Sequence, residues 1–115
     1  ELFQQPKAAY FVVENEGVLL GGGGIFHTAG LPPDTCELVK MYLHPSIRGR
    51  GFGKQIIEHC ILTAKLNGFK AVYLETMPEL KQALNAYEKF GFKYLSEPLG
   101  NTGHFGCGLW MSKEL

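Results

Sequence analysis

The sequence carries no excess of either charge: eleven Lys and Arg stand against eleven Asp and Glu in 115 residues. Duplex nucleic acid and anionic membranes call for a basic surface, so neither is expected as a partner. No apolar run approaches the roughly 20 residues of a membrane span, and no charged, apolar and small-residue leader opens the chain. Cysteine is scarce. Cys36, Cys60 and Cys107 are odd in number, lie far apart and form no C-x-x-C pair, which fits a reducing compartment and makes the cytoplasm the expected location. His104 and Cys107 are close in sequence, but two ligands with no third at motif spacing make a poor zinc site, so no metal is expected.

What is present is a globular composition, 45% hydrophobic and 19% charged with 15 glycines, in a length that suits one domain, residues 1–115, with one core. Residues 8–14 have strand composition, 15–17 form a turn and 18–26 resume as a strand, which makes a hairpin. Four glycines at 21–24 interrupt the second strand and mark a bulge or the close approach of another group. Residues 28–35 must be loop. The next strand, 37–43, is predicted to alternate Glu37, Val39, Met41 and Leu43 on one face with Leu38, Lys40 and Tyr42 on the other.

Phe52, Ile56, Ile57, Cys60, Ile61 and Ala64 recur at helical spacing, and Asn67-Gly68 supplies a stop. Residues 71–76 read as a short central strand. Pro78 suits the first turn of a second helix with Leu80, Ala83, Leu84 and Tyr87 on one face, ending at Gly91. Strands at 92–96 and 107–112 follow, separated by a glycine-rich loop at 98–106. The order is ββ, β, α, β, α, β, β, an α/β (α+β) fold with a mixed sheet and helices against it.

Between the third strand and the first helix, Gly49, Gly51 and Gly53 alternate with Arg48, Arg50 and Lys54. Alternating glycines let backbone N–H groups converge on one point, and the helix behind them adds unpaired donors and the positive end of its dipole. A pyrophosphate fits such a cradle; a solvated turn is the simpler alternative. A dinucleotide fingerprint from Gly49 would need glycine where Lys54 stands, and a Walker loop would need glycine at Arg48 and Ser or Thr at Gln55. What remains is R-x-x-G-x-G, filled by Arg48, Gly51 and Gly53.

This motif resembles the acyl-CoA pyrophosphate loop of the Gcn5-related N-acetyltransferases. Residues 83–92, ALNAYEKFGF, are similar to that family's A-x-x-x-Y-x-K-x-G-F stretch, and Glu37 matches a carboxylate position used as a base in histone-type members. The resemblance spans roughly residues 8–115 and implies a mostly antiparallel sheet whose central parallel pair splays apart. It implies acetyl-CoA as co-substrate, no metal, and direct transfer of the acetyl group to a primary amine within a ternary complex. The acceptor would be a small-molecule amine or a protein amino group.

On that resemblance the coenzyme diphosphate would lie on Arg48, Gly49, Arg50, Gly51, Phe52, Gly53 and Lys54. The pantetheine arm would lie along the backbone of Met41, Tyr42 and Leu43. A backbone N–H near Leu43 would face the charge that develops on the thioester oxygen. Tyr87 would donate to the leaving sulfur, although its spacing equally continues the apolar stripe of Leu80 and Leu84. Glu37 would take the amine proton, against the alternative of a solvated strand-end carboxylate, with Glu75 as second candidate.

Two departures stand out. Leu80 occupies a position where many members carry asparagine. The family also opens with a strand and one or two helices that wall the acceptor site, whereas here almost nothing precedes the hairpin. That wall is expected to be absent, to lie outside this sequence, or to come from a second chain, as in a homodimer. The competing functions are a non-catalytic acyl-CoA-binding module and a small interaction domain without cofactor.

Overall fold

The structure, a computed structural model, describes residues 8–99 and 108–115. Their elements are β1 (Ala9–Asn15), β2 (Val18–Phe26), β3 (Thr35–Leu43), α1 (Phe52–Leu66), β4 (Ala71–Thr76), α2 (Lys81–Lys89), β5 (Lys93–Leu95) and β6 (Leu109–Glu114). They build one six-stranded sheet in the order β1-β2-β3-β4-β6-β5. Every neighbouring pair is antiparallel except β3 and β4. That parallel pair is joined over only three residues, Thr35 to Ala71, Cys36 to Val72 and Glu37 to Tyr73, and then separates.

The alternation predicted for β3 holds only as far as Val39. Val39 pairs with Gly24 and Tyr42 with Gly22, so β3 spends three residues where β2 spends two. Lys40 has a left-handed φ of 58° at this bulge. One inserted residue reverses the phase of a strand. Met41 and Leu43 therefore join Cys36 and Leu38 on the face packed by α1, and Glu37 and Val39 point to the opposite face.

The core lies between this face and the helices. Ile56, Ile57, Cys60 and Ala64 of α1 meet Ile25, Leu38, Val72, Leu74 and Met111 of the sheet, with Leu84 and Tyr87 of α2 beside them. The apolar spacing along α1 is the cause: one stripe is buried, and Lys54, Gln55, Glu58 and His59 stay exposed. Emptying such a site, as in Ile57→Ala, costs about 2–5 kcal/mol.

Other boundaries shift for physical reasons. Pro78 lies in a turn and Leu80 is the N-cap, 48% exposed, so α2 begins three residues beyond the proline. β3 starts at Thr35, and β5 is shorter than expected because Phe92 leaves the edge to pack in the core. β6 runs from Leu109 to Glu114; Cys107, His104 and residues 100–106 lie outside the described residues.

The glycine run in β2 is explained by crowding. A side chain on Gly21 would come within 2.6 Å of the Tyr42 carbonyl oxygen and 2.8 Å of Leu43 Cδ2, and one on Gly23 would strike Met41 and Ile56. Because the Tyr42 carbonyl is backbone and cannot swing aside, Gly21→Ala is expected to destabilise the protein by about 1–3 kcal/mol. Urea denaturation checks this, and an unchanged midpoint would contradict the close approach of the two strands.

Candidate functional site

The loop after β3 is held at both ends. The His44 N–H donates to the Leu20 carbonyl at 2.7 Å, tying the end of β3 to β2. His44 Nδ1 then accepts from the Ser46 N–H at 3.1 Å and caps a single helical turn, Pro45–Ile47, whose Ile47 is buried. Arg48 turns back, and its Nε donates to the Leu43 carbonyl at 3.0 Å. Gly49 and Gly51 follow with φ of 76° and 87°, a conformation that costs other residues about 1 kcal/mol or more.

Gly51 is the N-cap of α1, and no side chain caps that end. The Gln55 N–H reaches the Gly51 carbonyl at 3.1 Å. The amides of Phe52, Gly53 and Lys54 therefore have no carbonyl of their own helix to bond. The first turn of α1 holds no acidic residue, so nothing there cancels the dipole or the charges of Arg48, Arg50 and Lys54. The Arg50 guanidinium lies 5.8 Å from the centre of the Phe52 ring. A side chain on Gly53 would lie 3.2 Å from Leu43 Cδ1, which places the helix start against the end of β3. This donor set suits a diphosphate.

On the face opposite α1, a cavity of about 430 Å³ opens beside the splayed strands, lined by residues that include Thr28, Glu37, Val39 and Glu75. Glu37 is 1% exposed, which overturns the picture of a solvated strand-end carboxylate. Its Oε1 accepts from the Thr28 hydroxyl at 2.5 Å. Glu75 Oε2 accepts from the Tyr73 hydroxyl at 2.6 Å, and Tyr73 in turn accepts from the Leu99 N–H at 3.2 Å. Burial, then the bond to Glu75, push the Tyr73 hydroxyl well above the usual tyrosine range.

Glu37 and Glu75 thus share one cavity, and the bulge at Lys40 sends Met41 and Leu43 to the other face. Tyr87 does not line that cavity. It is 6% exposed among the core residues on the α1 side, edge-on to Phe92 at 5.8 Å between ring centres. Burial, helped by nearby Cys60, pushes its hydroxyl up to about 12, so it carries its proton throughout the neutral range. Sequence reasoning missed Thr28 and Tyr73. The two-residue spacing of Tyr73 and Glu75 on one strand was a usable signal; Thr28, nine residues from its partner in a loop, offered none. Among the described residues no group of three or more His, Cys, Asp or Glu is placed to hold a metal ion, and no helix is long and apolar enough to cross a membrane.

A mixed sheet split at its parallel pair, with an uncapped glycine-led helix start at the split, is the architecture of an acyl-CoA-dependent transferase. The chain belongs to the acetyltransferase (GNAT) family, whose model matches residues 1–92. It is 45% identical over its whole length to the uncharacterized N-acetyltransferase YjgM of Escherichia coli. Among solved structures, an acetyltransferase from Streptococcus agalactiae aligns over 99% of this chain and 71% of its own, with a TM-score of 0.85 and 20% identity. The PaiA N-acetyltransferase of Thermoplasma acidophilum, in complex with coenzyme A, aligns over 94% of this chain and 61% of its own, with a TM-score of 0.75 and 18% identity. The chain spans 69%, 61% and 53% of the lengths of named N-acetyltransferases from Escherichia coli, Schizosaccharomyces pombe and Bacillus subtilis.

Three buried acids set an alkaline limit on the fold. Burial pushes the thiols of Cys36 and Cys60 up from 9.0 to about 12, and Tyr87 up from 10.0 to about 12. The folded state holds these protons more tightly than the unfolded chain. Their contribution is therefore complete below the unfolded value of 9.0 and is lost as pH rises toward about 12. Urea midpoints are expected to fall between about pH 8.5 and pH 11. Iodoacetamide at about pH 8 should spare Cys36 and Cys60 until the chain is unfolded. Rapid alkylation of either thiol in the native protein would contradict their burial.

Proposed function

We propose that this chain is an N-acetyltransferase that moves the acetyl group of acetyl-CoA to a primary amine by direct attack within a ternary complex. The observation that carries the reading is the divergence of β3 from β4 after Glu37, with the uncapped start of α1 on one side and a buried carboxylate on the other.

The first-turn amides of α1 and the cations Arg48, Arg50 and Lys54 would hold the coenzyme diphosphate. Beyond Glu37 the ladder between β3 and β4 stops, so the edge of β3 at Met41, Tyr42 and Leu43 would receive the amide groups of a pantetheine arm, beside the bond that the Leu43 carbonyl accepts from Arg48. The N–H of His44 is already given to Leu20. The donor facing the thioester oxygen is therefore to be sought within residues 41–43.

An alkylamine with a lysine-like pKa of about 10.4 arrives protonated and must lose a proton before it attacks. Glu37, buried and held by Thr28, is the group assigned to that transfer. Tyr87, kept neutral by its surroundings, donates to the departing sulfur from the other side of the sheet. The acceptor is a small-molecule amine or a protein amino group, and a homodimer belongs to the same reading.

Thiol release over a panel of primary amines tests the proposal. Tyr87→Phe is expected to lower kcat by about tenfold or more while the KM for acetyl-CoA stays near that of the wild type. Arg48→Ala is expected to weaken acetyl-CoA binding roughly tenfold in calorimetry and to leave the saturated rate nearly unchanged, because a ground-state phosphate contact acts on affinity. Tight acetyl-CoA binding without release on any amine would assign the chain to non-catalytic acyl-CoA binding instead. Normal affinity in Arg48→Ala would remove that residue from the coenzyme site.

A further inference from the structure

We propose that Thr28 is a positioning residue that keeps the buried Glu37 carboxylate ionised and fixes its rotation toward the cavity. The inference rests on the reading of Glu37 as the proton acceptor. Glu37 is 1% exposed, and burial alone drives a carboxyl toward its neutral form, which cannot accept a proton. A hydrogen bond donated to the charged form acts against that drift. The Thr28 hydroxyl supplies one to Glu37 Oε1 at 2.5 Å, and both side chains line the same cavity.

Other described groups stand near this carboxylate. On β4, Tyr73 is paired with Glu37 in register but donates its hydroxyl to Glu75. Glu75 lines the same cavity and takes that hydroxyl bond on its Oε2. On β3, Lys40 lies at the cavity rim and is exposed to solvent. His27, next to Thr28, has its Nε2 within 3.1 Å of the Pro32 carbonyl. Thr28 is held in place by its own backbone, whose carbonyl accepts from the Leu31 N–H at 3.2 Å at the start of the loop to β3.

The test compares Thr28→Val, Thr28→Ala and Thr28→Ser in the full chain, with Glu37→Gln as the reference. Carboxyl carbons of ¹³C-labelled glutamate are titrated by NMR, and Glu37→Gln identifies the Glu37 signal. The Glu37 titration is expected to move up by about one pH unit in Thr28→Val and Thr28→Ala, and to stay near the wild type in Thr28→Ser. With the best-accepted amine of the panel, the acid limb of kcat/KM should shift upward by the same amount. At a fixed pH on that limb the rate falls about tenfold and recovers as pH rises, with the KM for acetyl-CoA unchanged. An unmoved Glu37 titration in both Thr28→Val and Thr28→Ala overturns the proposal. A shifted titration together with full activity in Glu37→Gln leaves Thr28 as the residue that tunes this carboxyl and instead removes Glu37 from the reaction.

Discussion

The organisation of this protein depends on the point where β3 stops pairing with β4. Two parallel strands that start in register at Thr35 and Ala71 part after Glu37, and three residues later Lys40 adopts a left-handed φ. A left-handed backbone at a non-glycine residue costs of order 1–3 kcal/mol and persists only where the surroundings over-determine it. Here β2 supplies that constraint by pairing on both sides of the bulge. The result is a sheet with two working faces at one strand: Glu37 looks away from the helices, and Met41 and Leu43 look toward them. Under the proposed acetyl transfer, coenzyme and acceptor would approach this gap from opposite directions without competing for space.

The crowded glycine run of β2 supports the same gap. With no side chains at Gly21 and Gly23, β3 and α1 come close enough for Leu43 to touch the first turn of the helix. Ile56 and Met41 fill what would otherwise be side-chain volume on β2. The start of α1, and the amides it presents, is thus located by packing from below and by the His44 and Arg48 hydrogen bonds from the side. A flexible glycine loop would have to be ordered when a diphosphate binds; this one is fastened at its flanks, so less conformational entropy is spent there.

Much of this was legible in the sequence where the signal is local. Gly49 and Gly51 fix a strand-to-helix turn through their φ requirements, and the helical stripe from Phe52 to Ala64 follows from spacing alone. The phase of β3 was not legible, because one inserted residue at Lys40 reverses every later side chain and leaves no mark in composition. For Glu37 the sequence left a base and a solvated strand-end carboxylate side by side, because burial depends on neighbours far away in sequence. Pro78 looked like a helix start because proline suits both a first turn and the turn before it. Thr28 was invisible for a related reason: a loop hydroxyl acquires meaning only when the fold brings a carboxylate to it.

The placement of β6 has a consequence for how the molecule comes into being. β6 lies between β4 and β5 and pairs with six consecutive residues of one and three of the other. The N–H of Leu115 adds a further bond, to the Lys70 carbonyl at 2.8 Å. Since β6 follows the other described elements, β5 has no hydrogen-bonded neighbour among the described strands until β6 has been synthesised. On the ribosome the β1–β2–β3 meander and α1 can collapse together early, whereas β5 must wait for its partner. The completed sheet is therefore a late product of translation, and a nascent chain that has already formed its glycine loop would still lack the strand that joins β4 to β5.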